Sequence, residues 1–126
     1  MSAHGKRFED YLKVVYMLQR RKEEVRLKEV AKAMNLKPPT VLQYINKLCE
    51  MGLVTYSQGR IKLTEEGFNR ARKLLDKYQT IKEFFKEVMG MDEEKASEIA
   101  CLIEHVVDDE SVEKMKKLME RVRNCV

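Results

Sequence analysis

Two adjacent prolines, Pro38 and Pro39, constrain this chain more than any other feature. Proline suits a first helical turn but not an interior, so the pair ends one element and opens another. Before it, Leu27, Val30, Ala31 and Met34 recur at i, i+3, i+4 and i+7, which predicts a short helix ending near Asn35. After it, Val41, Ile45 and Leu48 predict a longer helix from Pro39 to Met51, closed by Gly52. A short helix, a tight turn and a longer helix form a helix-turn-helix candidate.

The flanking sequence extends that pattern. Leu53–Tyr56 and Arg60–Leu63 are β-prone runs around Ser57-Gln58-Gly59, and a hairpin directly after a helix-turn-helix is a wing. Upstream, Phe8, Leu12, Val15 and Gln19 share one stripe, with Tyr11 and Leu18 beside it, predicting a helix from Phe8 to Arg21. Downstream, Thr64 is placed to cap a long helix reaching about Met89, with Glu65 and Glu66 set favourably against its dipole. Gly90 ends that helix, and Asp92 caps another running to about Val107. Val112, Met115, Leu118, Met119 and Val122 mark a last one. The expected fold is mainly α: a winged helix-turn-helix over residues 1–75, then an all-helical region over residues 76–126.

Composition agrees. Charged residues make up 37% and aromatic residues 7%, with no Trp, which fits a surface-rich helical protein better than a β-sandwich. The net charge of +4 is unevenly spread. Through Leu75 there are 16 Lys and Arg against 8 Asp and Glu; the remainder holds 9 against 13, so the parts carry +8 and −4. A basic first part suits a polyanion. The three cysteines, Cys49, Cys101 and Cys125, form no paired motif and fit a reducing cytosol. The opening residues 1–7 lack a leader pattern, and no apolar run is long enough for a bilayer, so a cytoplasmic protein with no membrane partner is expected.

Turning Val41, Ile45 and Leu48 inward directs Pro39, Thr40, Gln43, Asn46 and Lys47 outward. Gln pairs bidentately with adenine, Thr and Lys reach phosphates, and Pro39 offers an apolar surface to a thymine methyl. Arg60 at the wing tip adds a cation for backbone or minor groove. Gln43 and Lys47 alone also fit a solvated helix face. Helix-turn-helix, wing and basic charge in this order point to double-stranded DNA.

A second constellation lies near the other end. Cys101, Glu104 and His105 stand at i, i+3 and i+4, sharing one face if a helix runs through all three. Thiolate, carboxylate and imidazole are each transition-metal ligands. The same residues also fit a buried free cysteine beside a surface Glu–His pair. Three ligands leave a coordination sphere incomplete, so a fourth would come from elsewhere in the chain.

Several pieces then combine: Glu9-Asp10-Tyr11-Leu12, Val15-Tyr16, Pro39-Thr40-Val41, Gly52-Leu53-Val54, Leu63-Thr64-Glu65-Glu66-Gly67, and Ala100-Cys101 through Glu104-His105-Val106. In this order and spacing, over nearly the whole chain, the sequence resembles the diphtheria toxin repressor family of iron- and manganese-dependent transcriptional repressors. The resemblance implies a winged-helix head, a helical metal-binding and dimerisation region, and a homodimer on a palindromic operator. This chain is too short for the SH3-like domain that many members append. The primary metal site would fall on Asp10, Cys101, Glu104 and His105. Asp10 matches the manganese branch, which has Asp where the iron branch has Met; Cys101 matches the iron branch, which the manganese branch replaces with Glu. One divalent ion per protomer is implied, with Fe(II) favoured for a mixed oxygen, sulfur and nitrogen set, and Mn(II), Co(II) or Zn(II) as alternatives.

The family's ancillary site looks dismantled, its ligand positions holding Tyr78, Lys82 and Ser97, while Lys13 stands at a position that is Glu in the manganese branch. A phenol titrates near pH 10 and an ammonium has no lone pair, so neither Tyr78 nor Lys82 suits a metal at neutral pH. Lys82 would either supply a second ion's positive charge permanently, pairing with nearby carboxylates, or point to water. Two rival functions remain. A small metal hydrolase lacks a general base and any further convergent polar group, so neither an enzyme nor a small-molecule substrate is expected. A winged-helix regulator indifferent to metal would use Cys101 as a redox-sensing thiol.

Overall fold

The computed structural model describes residues 8–22 and 24–125, so the opening residues 1–7 lie outside the described residues. The chain divides into two compact units, residues 1–73 and 74–126. The first contains α1 (Phe8–Gln19), β1 (Val25–Arg26), α2 (Leu27–Met34), α3 (Pro38–Glu50), β2 (Val54–Ser57), β3 (Arg60–Leu63) and the start of α4 (Glu65–Glu87).

Asn35 closes α2 in the left-handed region at φ 56°, its N–H reaching the carbonyls of Ala31 and Lys32. Lys37 is extended at φ −79° and ψ 145°, as the residue before a proline must be, and α3 opens on the two prolines. The helical periods place Tyr11, Leu12 and Val15 of α1, Val30 of α2, and Val41, Ile45 and Leu48 of α3 in one core, with almost no exposed surface. Each of the large aliphatic side chains contributes roughly 1.5–3 kcal/mol by leaving water. Gln19, the polar member of the α1 stripe, accepts a hydrogen bond from the Leu63 N–H at 3.0 Å, tying α1 to β3.

The sheet is antiparallel with order β1-β3-β2. Its hairpin differs from the expected one in turn length. Ser57 pairs with Arg60, leaving the two-residue turn Gln58-Gly59. Both residues have positive φ, 52° and 76°, which makes a turn whose twist matches the strands. β1 was absent from the sequence expectation, because two residues carry no periodicity; Val25 pairs with Ile61 and is fully buried.

Thr64 caps α4 as expected, its Oγ1 accepting from the Gly67 N–H at 3.0 Å and donating to the Gly52 carbonyl at 2.7 Å. The second unit holds the rest of α4, then α5 (Glu93–Ile103) and α6 (Asp109–Asn124), around Ile81, Ala96, Ala100, Val112 and Met119. Asp92 caps α5 and Asp108 caps α6, each accepting a backbone N–H at 2.8 Å. α5 therefore stops at Ile103 rather than Val107. A tight turn, in which the Val106 N–H meets the Ile103 carbonyl, delivers Asp108 to its capping position. No helix among the described residues is long and apolar enough to cross a membrane.

Candidate functional site

On α3, Pro39, Thr40, Gln43, Asn46 and Lys47 are exposed while Val41, Ile45 and Leu48 are fully buried. The 3.6-residue period produces this division. Tyr44 anchors the helix sideways: its ring stacks on that of the buried Tyr11, with centroids 4.4 Å apart and planes 9° from parallel. Burial, reinforced by Tyr44 and Asp10, holds the Tyr11 phenol above its ordinary value. Five donor or apolar groups thus stand on a helix whose inner face is fixed. Lys28, Lys32, Lys37 and Lys62 are further exposed cations of the same unit.

Arg60 directly follows the hairpin turn and is exposed, with Nη1 3.3 Å from Oε1 of Glu24. No local pattern points to this partner, which lies 36 positions earlier and is brought in by the β1–β3 pairing. Arg60 therefore carries a carboxylate partner at the wing.

Among the residues singled out as metal ligands, Asp10 lies in the first turn of α1 and is 1% exposed. Lys13, one turn on, places Nζ 3.6 Å from Asp10 Oδ1. The i, i+3 spacing was the available signal for that pair. In the second unit, Cys101 is half-buried on the last turn of α5 and Glu104 is fully buried at its C-cap. Glu104 keeps right-handed backbone (φ −57°, ψ −28°), but His105 belongs to the turn beyond, so a single helix does not carry all three residues. The turn still sets His105 Nε2 3.5 Å from Glu104 Oε1, with both side chains nearly inaccessible. A buried carboxylate and imidazole side by side, one turn from a thiol, form a donor set that fits a first-row transition ion.

A separate cluster joins α4 to α5. The Tyr78 hydroxyl and Ser97 Oγ are 2.5 Å apart, and Lys82 Nζ lies 3.0 Å from Glu93 Oε2. Lys86 pairs with the other oxygen of Glu93. Of the two readings of Lys82, the structure has the one paired with a carboxylate.

Residues 4–60 match the iron-dependent repressor N-terminal DNA-binding domain, and residues 64–126 match the metal-binding and dimerisation domain of the same repressors. This chain belongs to the iron-dependent repressor family. An HTH-type transcriptional regulator from Methanocaldococcus jannaschii is 41% identical over 120 residues, covering 94% of this chain and 96% of its own length. Among solved structures, the IdeR of T. acidophilum superposes with a TM-score of 0.79 at 26% identity, over 89% of this chain and 53% of that one. The manganese regulator SloR gives a TM-score of 0.79 at 32% identity, over 90% and 53%. This chain spans about half the length of those two structures. The family consists of metal-dependent DNA-binding repressors rather than enzymes, so the hydrolase reading is set aside. Its dimerisation domain carries several exposed apolar side chains here: Met89, Leu102, Val106 and Val122.

Proposed function

We propose that this protein is a metal-activated transcriptional repressor that binds a palindromic operator as a homodimer in the cytoplasm. The observation that carries the metal reading is the buried Glu104–His105 pair in a domain of the metal-binding type. Asp10 supplies the fourth ligand. One divalent transition ion per protomer serves as corepressor, and Fe(II) is preferred because a thiolate joins oxygen and nitrogen donors. Repression of metal-uptake genes follows from such an ion acting as corepressor. Asp10, Cys101, Glu104 and His105 would hold the ion, which would supply positive charge to their donor atoms. Its leverage equals its differential affinity for the DNA-competent arrangement.

Pro39, Thr40, Gln43 and Lys47 of α3 meet the major groove, and Arg60 meets the backbone from the wing. Leu102 in the last turn of α5 and Val106 in the turn beyond it, both exposed, contribute to the dimer surface. A metal-indifferent regulator with Cys101 as redox sensor is the weaker reading, since it leaves the adjacent buried Glu104 and His105 without a role.

Metal content per protomer and operator affinity, measured together on the full chain, test the proposal. Apoprotein titrated with Fe(II) under anaerobic conditions is expected to bind one ion per protomer and to tighten on an inverted-repeat duplex. Equal affinity with chelator and with Fe(II), Mn(II), Co(II) or Zn(II) would rule out metal gating.

A further inference from the structure

We propose that Lys82 is a built-in cation that fastens α4 to α5 where a second metal ion would otherwise be needed. Tyr78, Lys82 and Lys86 follow one another at four-residue intervals and so line one face of α4; Glu93 and Ser97 do the same on α5. The two faces meet as rungs. Tyr78 bonds Ser97 at 2.5 Å, and Glu93 lies between two ammonium groups, 3.0 Å from Lys82 and bonded to Lys86. Lys82 is the sheltered member, its side chain 17% exposed against 60% for Glu93, and its Nζ lies 5.6 Å from the centre of the Tyr78 ring. The ring face favours a cation there.

Helix polarity supports the same arrangement. Glu93 opens α5, where the positive end of the dipole favours a carboxylate, and Lys86 lies in the last turn of α4, where the negative end favours an ammonium. Hydrogen bonding from Lys86, then from Lys82, holds the Glu93 carboxyl below its ordinary range. The cluster fits no divalent ion. An ammonium offers no lone pair, the Tyr78 hydroxyl is already engaged with Ser97, and a single carboxylate is a poor cage. Tyr78, Lys82 and Ser97 occupy the positions that the family resemblance aligns with ancillary ligands. The joint is therefore closed in the protein without an ion. Given the metal reading above, activation should then depend on one ion alone.

Hydrogen exchange on the full chain tests the fastening independently of that reading. Amides of residues 96–98, at the Glu93 end of α5 and short of Cys101, should be equally protected in EDTA and in Co(II) chloride. Lys82→Met should speed their exchange about tenfold or more, while Lys82→Arg, which keeps the charge, should stay near the unmodified protein. Glu93→Gln, at an exposed position, should produce a similar loss, and the double variant should lose little more than either single one. Losses that simply add, or protection that EDTA abolishes in the unmodified protein, would overturn the proposal. Co(II) titration supplies the metal arm. One ion per protomer is expected, rising to two in the Tyr78→His, Lys82→Glu variant, and two tight ions in the unmodified protein would also overturn it. If no Co(II) binds, the repressor's metal gating falls, while the exchange result still decides the fastening.

Discussion

Gly67 lies so close to the backbone of Leu53 that a Cβ on it would collide with the Leu53 carbonyl. The collision is with main chain, which cannot rotate away as a flexible side chain would. Two hydrogen bonds of Thr64 and one from its N–H to the Leu53 carbonyl fix the same junction. Gly67→Ala should therefore destabilise the winged-helix unit by about 1–3 kcal/mol, as overpacking does. Thermal unfolding checks this, and an unchanged midpoint would mean that the α4 start can slide on Leu53.

Gln43 and Lys47 share the exposed face of α3 but differ in what they can read. Gln43→Ala should cost about 1–3 kcal/mol on the preferred operator and relax base preference. Lys47→Ala should weaken all sequences alike and flatten the dependence on salt. Identical, sequence-independent losses from the two would show that α3 sits in the groove in another register.

Glu24 holds Arg60 at 3.3 Å, and both side chains are about half exposed. Such a surface pair is weak, about 0–1 kcal/mol, so a phosphate can compete for Arg60. Glu24→Gln should raise DNA affinity by up to about fivefold at low salt, the effect shrinking as salt screens the charges. Fluorescence anisotropy at two ionic strengths measures it; weaker binding by Glu24→Gln would contradict the account.

Cys101 is the one soft donor of the proposed metal set. Cys101→Glu should move the preference for activation from Fe(II) toward Mn(II), because manganese favours oxygen and imidazole donors. Operator binding titrated with each metal under anaerobic conditions provides the readout. Preference order unchanged by the substitution would remove Cys101 from the coordination sphere.

Arg123 clasps Glu87 through two hydrogen bonds, of 2.6 and 2.9 Å, and this holds the Glu87 carboxyl below its ordinary value of 4.5. A carboxyl lowered in the folded state contributes stability above its unfolded value and loses it as pH falls through the folded one. Arg123→Gln should therefore melt slightly below the unmodified protein at pH 7, with the gap closing as pH drops below 4.5. A gap of constant size down to about pH 3 would assign the effect to packing of the Arg123 stem instead.

The local signals in this sequence were strong because they act over a few residues. Pro38 and Pro39 open α3 by sterics alone, Asn35 and Gly52 adopt the positive φ that ends α2 and follows α3, and Thr64 caps α4 through its own hydroxyl. The 3.6-residue period determined which face of α3 is buried, and thereby which side chains face solvent. Family membership was legible for the same reason, as short motifs kept in order along the chain.

Tertiary structure decided what depends on distant partners. β1 exists because β3 offers Val25 and Arg26 a ladder, and Glu24 reaches Arg60 only through that pairing. The apolar run through Val107 reads as continuing helix, yet capping of α6 by Asp108 ends α5 at Ile103 and leaves His105 in a turn. The carboxylate partner of Lys82 lies on another helix, so the spacing of residues along α4 does not reveal it. Packing of α5 on α4 brings Glu93 to its ammonium and Ser97 to Tyr78. Periodicity and capping are properties of neighbouring residues, whereas a long-range ion pair needs two elements docked at one angle and register. Only the folded chain fixes those.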